Sequence, residues 1–174
     1  MLRFSLLAVI FCFVASALVR SQSVDDPVLR AQLEGLFPAA ASFSAKEGNP
    51  PHFKAYAAGE EPVLLGLAFW TTELEPLERA YDGPIKMLVG MDTAGELTGI
   101  VVTEHREPYG YFSVDLPEFA EQFQGKSVRD RFRVGDDIDA ITRATVTVTS
   151  ASRAVRNSAR RVARAYLTPP EQKE

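Results

Sequence analysis

Five hydroxyl side chains, Thr142, Thr145, Thr147, Thr149 and Ser150, fall within nine positions of the stretch DAITRATVTVTS. A hydroxyl is an oxygen nucleophile once a partner activates it, and it is a hydrogen-bond donor toward anions. Three local arrangements fit this stretch. A half-buried strand would set Val146 and Val148 on one face and Thr145, Thr147 and Thr149 on the other. A helix starting near Thr149 or Ser150 would take one of those hydroxyls as its N-cap. An anion site would add hydroxyl donors to the free N–H groups and positive end of a helix N-terminus, which favour phosphate.

Other reactive side chains are few. The single cysteine, Cys12, lies in an apolar N-terminal run, so the body of the chain has no thiol, disulfide framework, CxxC pair or iron–sulfur ligands. His52 and His105 are the only histidines, which argues against a His-rich metal site or a haem held by two histidines. The sequence holds no c-type haem motif, GxGxxG or P-loop. Redox chemistry, if the chain performs any, therefore needs an organic cofactor. With 19 basic and 23 acidic residues the net charge is -4, the wrong sign for a general nucleic-acid binder.

The elements that must position these residues can be read along the 174-residue chain. Phe4 to Val19 is apolar apart from Ser5 and Ser16 and follows a short basic start, the pattern of an export signal. Ala15-Ser16-Ala17 suits cleavage, while Leu18 and Val19 extend the run toward a retained membrane anchor. Residues 1–21 are accordingly expected to be a signal peptide or anchor, and 22–52 an N-terminal helix and linker region. Asp26 and Pro27 predict a helix start running to about Leu36. HFKAYAA and PVLLGLAFWTT read as strands. PIKMLVGMD and ELTGIVVTEHR flank Thr93-Ala94-Gly95 as a hairpin. DLPEFAEQFQG reads as a helix capped by Asp115 and stopped at Gly125, and VRDRFRVGDDI as a short strand and loop.

A C-terminal helix closes the domain. Ala151, Ala154, Val155, Ala159, Val162, Ala163 and Tyr166 keep the i, i+3, i+4 spacing of a buried stripe. Arg153, Arg156, Arg160 and Arg164 run along another face with Arg161 beside them, the pattern of a solvated helix face or, as the alternative, of a face used by a partner or an anionic surface. A hairpin-rich sheet followed by helices is an α+β domain with a small mixed or antiparallel sheet.

Asp139-x-x-Thr142-Arg143-Ala144-Thr145 resembles the Asp-x-x-(Ser/Thr)-Gly-Ala-Thr signature of the FMN-binding domain family, the covalently flavinylated periplasmic domains of NosR, RnfG and NqrC type. A second stretch is similar to the same family. Tyr81, Gly83, Pro84 and Ile85 match an opening that leads into a hairpin, and His105, Glu107 and Pro108 match the loop after it, most closely its NosR version. Arg143 stands where the family has Gly, as does Ala80. The resemblance covers roughly residues 53–167, and the predicted FMN-binding domain runs over 53–168 with a tail at 169–174. The chain then reads as a free-standing version of the NosR N-terminal domain.

The resemblance implies that Thr145 is esterified to the phosphate of FMN by an ApbE-type flavin transferase. It implies roles near the cofactor for Asp139, Thr142, Arg143, Ala144 and Thr147; on residue type, Thr142 and Thr147 are phosphate donors or simple caps, and Asp139 a motif residue or an ordinary turn residue. It brings His105 and Glu107 near the isoalloxazine ring; on residue type alone they are equally an ordinary polar strand end. Trp70, Tyr109, Tyr111 and Phe112 are aromatic candidates for ring packing, although each reads first as core. The implied function is an electron carrier in the periplasm, with redox partner proteins there or in the membrane, and not an enzyme with its own substrate. A tether suits that location, because unbound FMN would diffuse away.

Overall fold

The computed structural model describes residues 24–167. The expected export segment at 1–21 and the tail at 169–174 lie outside the described residues. Among the described residues, no helix is long and apolar enough to cross a membrane.

The architecture is α+β. Helix α1 (Pro27–Leu36) is followed by strands β1 (Ser42–Phe43), β2 (Phe53–Ala57) and β3 (Val63–Trp70). A single turn of helix, α2 (Thr71–Leu74), leads toward β4 (Lys86–Asp92) and β5 (Leu97–Glu104). A 3-10 turn (Gly110–Phe112), a short helix α3 (Pro117–Glu121) and the long helix α4 (Thr145–Tyr166) complete the order. The five strands form one sheet in sequence order, each antiparallel to its neighbour.

The alternation of side chains along β3 and β4 creates two cores. Leu67, Phe69, Met87, Val89 and Met91 face one way and pack with α3 and α4. Ala68 and Leu88 face the other way and meet Leu33, Leu36 and Phe37 of α1 and its end. Gly90 lets α1 settle closely: a Cβ there would stand 3.1 Å from the Cβ of Leu36. The β4–β5 turn is fixed by Asp92, whose carboxylate accepts from the N–H groups of Ala94 and Glu96, both at 2.9 Å, while Gly95 takes φ +85°.

Three expectations change. The ATVTVT run is helical, not a strand, and α4 starts at Thr145 instead of Thr149 or Ser150. The buried stripe of α4 continues backward through Val148, Thr147 and Ala144, and packing that stripe on the sheet outweighs the strand preference of β-branched residues. Asp115 does not cap α3. Pro117 is the first helical residue, so the cap position falls on Leu116. The stretch 128–138 forms a loop in which Val134 and Ile138 make an isolated bridge. Its N–H groups at Phe132 and Arg133 go to the Asp137 carboxylate, at 3.0 and 2.6 Å, in place of a strand neighbour.

Candidate functional site

Three segments of chain meet at one carboxylate. Glu107, on the loop after β5, is 7% exposed, so its charge must be satisfied internally. Its Oε1 accepts from the Asp82 N–H at 2.8 Å and its Oε2 from the Tyr81 N–H at 3.2 Å. Oε2 also accepts from the hydroxyl of Thr147, in the first turn of α4. The carboxylate thus fastens the turn before β4, its own loop and the start of α4 to one another. Hydrogen bonds to a charged group contribute about 1.5–3 kcal/mol each, enough to fix this junction.

His105 is attached to the same junction. Its Nδ1 accepts from the Glu107 N–H at 3.1 Å, which leaves the ring proton on Nε2. That nitrogen lies 2.7 Å from Oδ1 of Asp115 and donates to it. Gly110 makes the arrangement possible, because any Cβ at that position would overlap the His105 ring. The His105 side chain is 14% exposed and looks onto a cleft of about 310 Å3, with Pro84, Lys86 and Glu104 around it.

The N-terminus of α4 is open. Ala144 occupies its cap position, and no side chain caps the helix. The first intrahelical bond runs from the Val148 N–H to the Ala144 carbonyl at 2.9 Å, so the N–H groups of Thr145, Val146 and Thr147 lie outside the helical ladder. These donors, together with the positive end of a 22-residue helix, form an environment suited to a phosphate.

Thr145 is exposed at the first position of this helix, and among the described residues its hydroxyl engages no partner. Thr145 and Thr147 are two residues apart and so project about 200° apart around the helix. One hydroxyl therefore faces solvent while the other is buried against Glu107.

Arg143 stands just before this point with φ +69°, in the left-handed region that disfavours a side chain. That backbone explains why a Gly would suit the position. The guanidinium is exposed beside the helix start, with no acceptor among the described residues.

The structure thus brings Thr147, Glu107 and His105 into one hydrogen-bonded junction and sets Arg143, Ala144 and Thr145 at its edge. Asp139 and Thr142 are exposed on the preceding loop and do not join that junction. The Asp139 N–H donates to Oε1 of Gln122 at 2.6 Å. Sequence reasoning missed the N–H groups of Tyr81 and Asp82 as partners of Glu107, because backbone donors leave no residue signature. It also missed Asp115 as the partner of His105. Tyr109 and Tyr111 are not core residues: they are 48% and 70% exposed, and Tyr81 is 74% exposed. Trp70 belongs to the opposite side of the sheet, packed in the α1 cluster with the Lys86 ammonium 4.8 Å from its ring centroid.

Comparison with known proteins points to the same region. Residues 80–160 match a family described as FMN-binding domain. The chain is 34% identical over 138 residues to a subunit of the ion-translocating oxidoreductase complex of Photorhabdus laumondii, covering 74% of this chain and 62% of that one. It is 32% identical over 143 residues to the regulatory protein NosR of Stutzerimonas stutzeri, covering 76% of this chain and 19% of NosR. The corresponding oxidoreductase complex subunit of Yersinia pestis is 32% identical over 124 residues, 64% of this chain and 56% of that one. The chain spans less than two thirds of the length of each of these relatives.

Proposed function

Because residues 80–160 belong to the FMN-binding domain family, we propose that the chain is an exported electron-transfer module carrying FMN on Thr145 through a phosphoester. The observation that carries this reading is the position of Thr145. It is the exposed first residue of an uncapped helix, where three N–H groups and the helix dipole would favour a phosphate attached to its hydroxyl. A buried threonine such as Thr147 could not be reached by a transferase. The different settings of the two threonines support this assignment: the Thr147 hydroxyl is engaged by Glu107, whereas Thr145 is exposed.

The residues present fit the group. The N–H groups of Thr145, Val146 and Thr147 would hold the phosphate, and Arg143 offers a guanidinium beside it. The His105–Asp115 pair stands after β5; both ring nitrogens of His105 are engaged, so it is the more exposed carboxylate of Asp115, oriented by His105, that the pair would offer to a flavin edge. The isoalloxazine supplies one- and two-electron redox chemistry when bound. The protein's part is to hold the phosphate, keep the ring accessible to redox partners and set its hydrogen-bonding surroundings. Asp139 and Thr142, exposed on the loop before the acceptor, are suited to recognition by an ApbE-type transferase.

Two of the relatives carry names that tie them to an oxidoreductase complex, which supports an electron carrier working with redox partner proteins over an enzyme with its own substrate. The apolar N-terminal run supports export to the periplasm, by cleaved signal or by anchor. The deciding experiment is the intact mass of the protein made with and without a co-expressed flavin transferase that modifies a control substrate. A gain of one FMN less one water, mapped by fragmentation to Thr145, is the expected result. An unchanged mass would overturn covalent attachment. Yellow colour lost on denaturation would then indicate noncovalent flavin, and a colourless protein a cofactor-free sensory or structural module.

A further inference from the structure

The arginines of α4 do not sit on a plain convex surface. A cleft of about 600 Å3 opens between α4 and the loop at 131–134, lined by Arg131, Arg133, Arg153, Arg156 and Arg160 together with Thr149 and the apolar Phe132 and Val134. A second cleft, of about 680 Å3, continues along the helix between α4 and the β4–β5 turn. It adds Arg129 and Arg164, and it shares Arg160 with the first. The two clefts run from Thr149 to Leu167, about 27 Å of helix at 1.5 Å per residue. Among the described residues no carboxylate lines either cleft, in a chain whose net charge is -4.

Helix-dipole compensation does not account for these residues, since only Arg164 stands in the last turn of α4. Nor are they all consumed by the fold. Arg160 is structural: its Nε donates to the Val128 carbonyl at 2.8 Å and its Nη2 to that of Asp130 at 2.7 Å. Arg153 and Arg131 pair with Glu78 and Asp136, at 3.2 and 2.9 Å. Among the described residues, the exposed side chains of Arg129, Arg133 and Arg164 have no acceptor.

The loop that forms the far wall is held in an unfavourable backbone. Phe132 has φ +53°, and the Asp137 carboxylate secures it through two N–H groups and through Lys126 at 3.4 Å. Strain of this kind costs on the order of 1–3 kcal/mol and recurs where a wall must hold a fixed shape against a ligand.

We propose that this groove docks an extended acidic segment of a partner protein. Guanidinium groups are the cationic side chains that pair with carboxylates two bonds at a time, and every cation lining the groove is an arginine. The length accommodates about eight residues of extended chain at roughly 3.3 Å each. The apolar Phe132, Val134 and Leu167 among the arginines suit a peptide with carbon between its charges better than a compact inorganic anion. The groove begins at Thr149, one helical turn from Thr145. On the reading of Thr145 as the flavin acceptor, a segment seated here brings its protein alongside the redox centre. The docking itself does not depend on that reading.

The test is fluorescence anisotropy of the purified chain, without flavin, against a labelled synthetic peptide alternating Glu and Gly over ten residues. The same peptide with Gln in place of Glu serves as the control. Binding of the Glu peptide alone is expected, weakening by about tenfold between 50 and 300 mM salt. The triple variant R129Q/R133Q/R164Q removes charges whose side chains have no acceptor among the described residues, so its melting temperature shifts by only a few degrees, the dipole contribution of Arg164 included, and it loses binding at least about tenfold. Arg30→Glu, on α1 across the sheet, leaves binding unchanged. Equal binding of the Gln peptide, or retention of binding by a folded triple variant, would overturn the proposal. So would displacement of the peptide by pyrophosphate at equimolar concentration, which would assign the groove to a phosphate anion. Failure of flavin attachment to Thr145 leaves all of these readouts intact.

Discussion

Arg143→Gly should make the protein more stable. Arg143 has φ +69°, and a residue with a Cβ in this region costs about 1–2 kcal/mol relative to glycine. Glycine returns part of that gain because its unfolded chain is freer, at about 0.5–1 kcal/mol. The Arg143 side chain is exposed and has no acceptor among the described residues, so its removal breaks no contact. The net expectation is about 0.5–1 kcal/mol of stabilisation, or a rise of about 1–4 °C in melting temperature for a domain of this size. The assay is thermal unfolding followed by circular dichroism, with Arg143→Ala alongside. Alanine removes the charge and the long side chain but keeps the Cβ, so it should leave the melting temperature nearly unchanged. If alanine stabilises as much as glycine, the effect belongs to the charge near the helix start, and the argument from backbone conformation is refuted. If glycine destabilises, Arg143 makes a contact that outweighs its strain. The same variant tests whether a Gly at this position speeds modification of Thr145 by the transferase.

Thr145→Val is expected to abolish the FMN mass increment while shifting stability by no more than about 0.5 kcal/mol, as for other exposed positions; modification of the variant at a neighbouring hydroxyl would show that the acceptor was misassigned. Glu107→Gln should destabilise by about 1–3 kcal/mol in chemical denaturation, because its NH2 group replaces an oxygen that now accepts from the Asp82 N–H or from the Tyr81 N–H and the buried Thr147 hydroxyl. Gly110→Ala should cost about 1–3 kcal/mol and release His105 from Asp115, seen as a changed imidazole resonance in NMR. For Asp137, burial raises the carboxyl pKa, but the N–H groups of Arg133 and Phe132 and the Lys126 ammonium outweigh it and hold the carboxyl below its ordinary value. A carboxyl lowered on folding adds stability above its unfolded pKa and loses it as pH falls through the folded one. Asp137→Asn should therefore melt lower than the parent at neutral pH, and the gap should close as pH drops below about 4; a gap that is constant with pH would remove the charge from the account.

Strands β2 to β5 and the first helix were legible because their signals are local, whereas the two-residue β1 lies in the stretch read as linker. Asp26 and Pro27 announce the start of α1, and the Asp26 carboxylate does accept from the Val28 N–H at 2.9 Å. Gly95 marks the hairpin, and the alternation of Met87, Leu88 and Val89 decides which side chains enter which core. The junction at Glu107 was less legible. Two of its three donors are backbone N–H groups from a turn some 25 residues earlier in the chain. The third, Thr147, is 40 residues later and offers no sign in the sequence that it faces inward. Likewise, Asp115 sits where a cap is expected, and only the phase set by Pro117 shows that its carboxylate is free to turn toward His105.

The misplaced start of α4 shows how the site depends on the fold. As a strand, ATVTVT would set Thr145, Thr147 and Thr149 on one face as three equivalent hydroxyls, and nothing would single out one of them. Helical phase breaks that equivalence. Thr147 turns into the core at 4% exposure, Thr149 turns toward the arginine groove, and Thr145 is left at the open end of the helix. The helical phase comes from the stripe of Ala144, Thr147, Val148 and Ala151 packed on the sheet, with Glu107 securing Thr147 at the first turn. Sheet packing and a buried carboxylate thus determine which of several identical side chains is left exposed at the helix start, the position the proposed attachment requires. Moving the helix start by a single residue would present Val146 there instead.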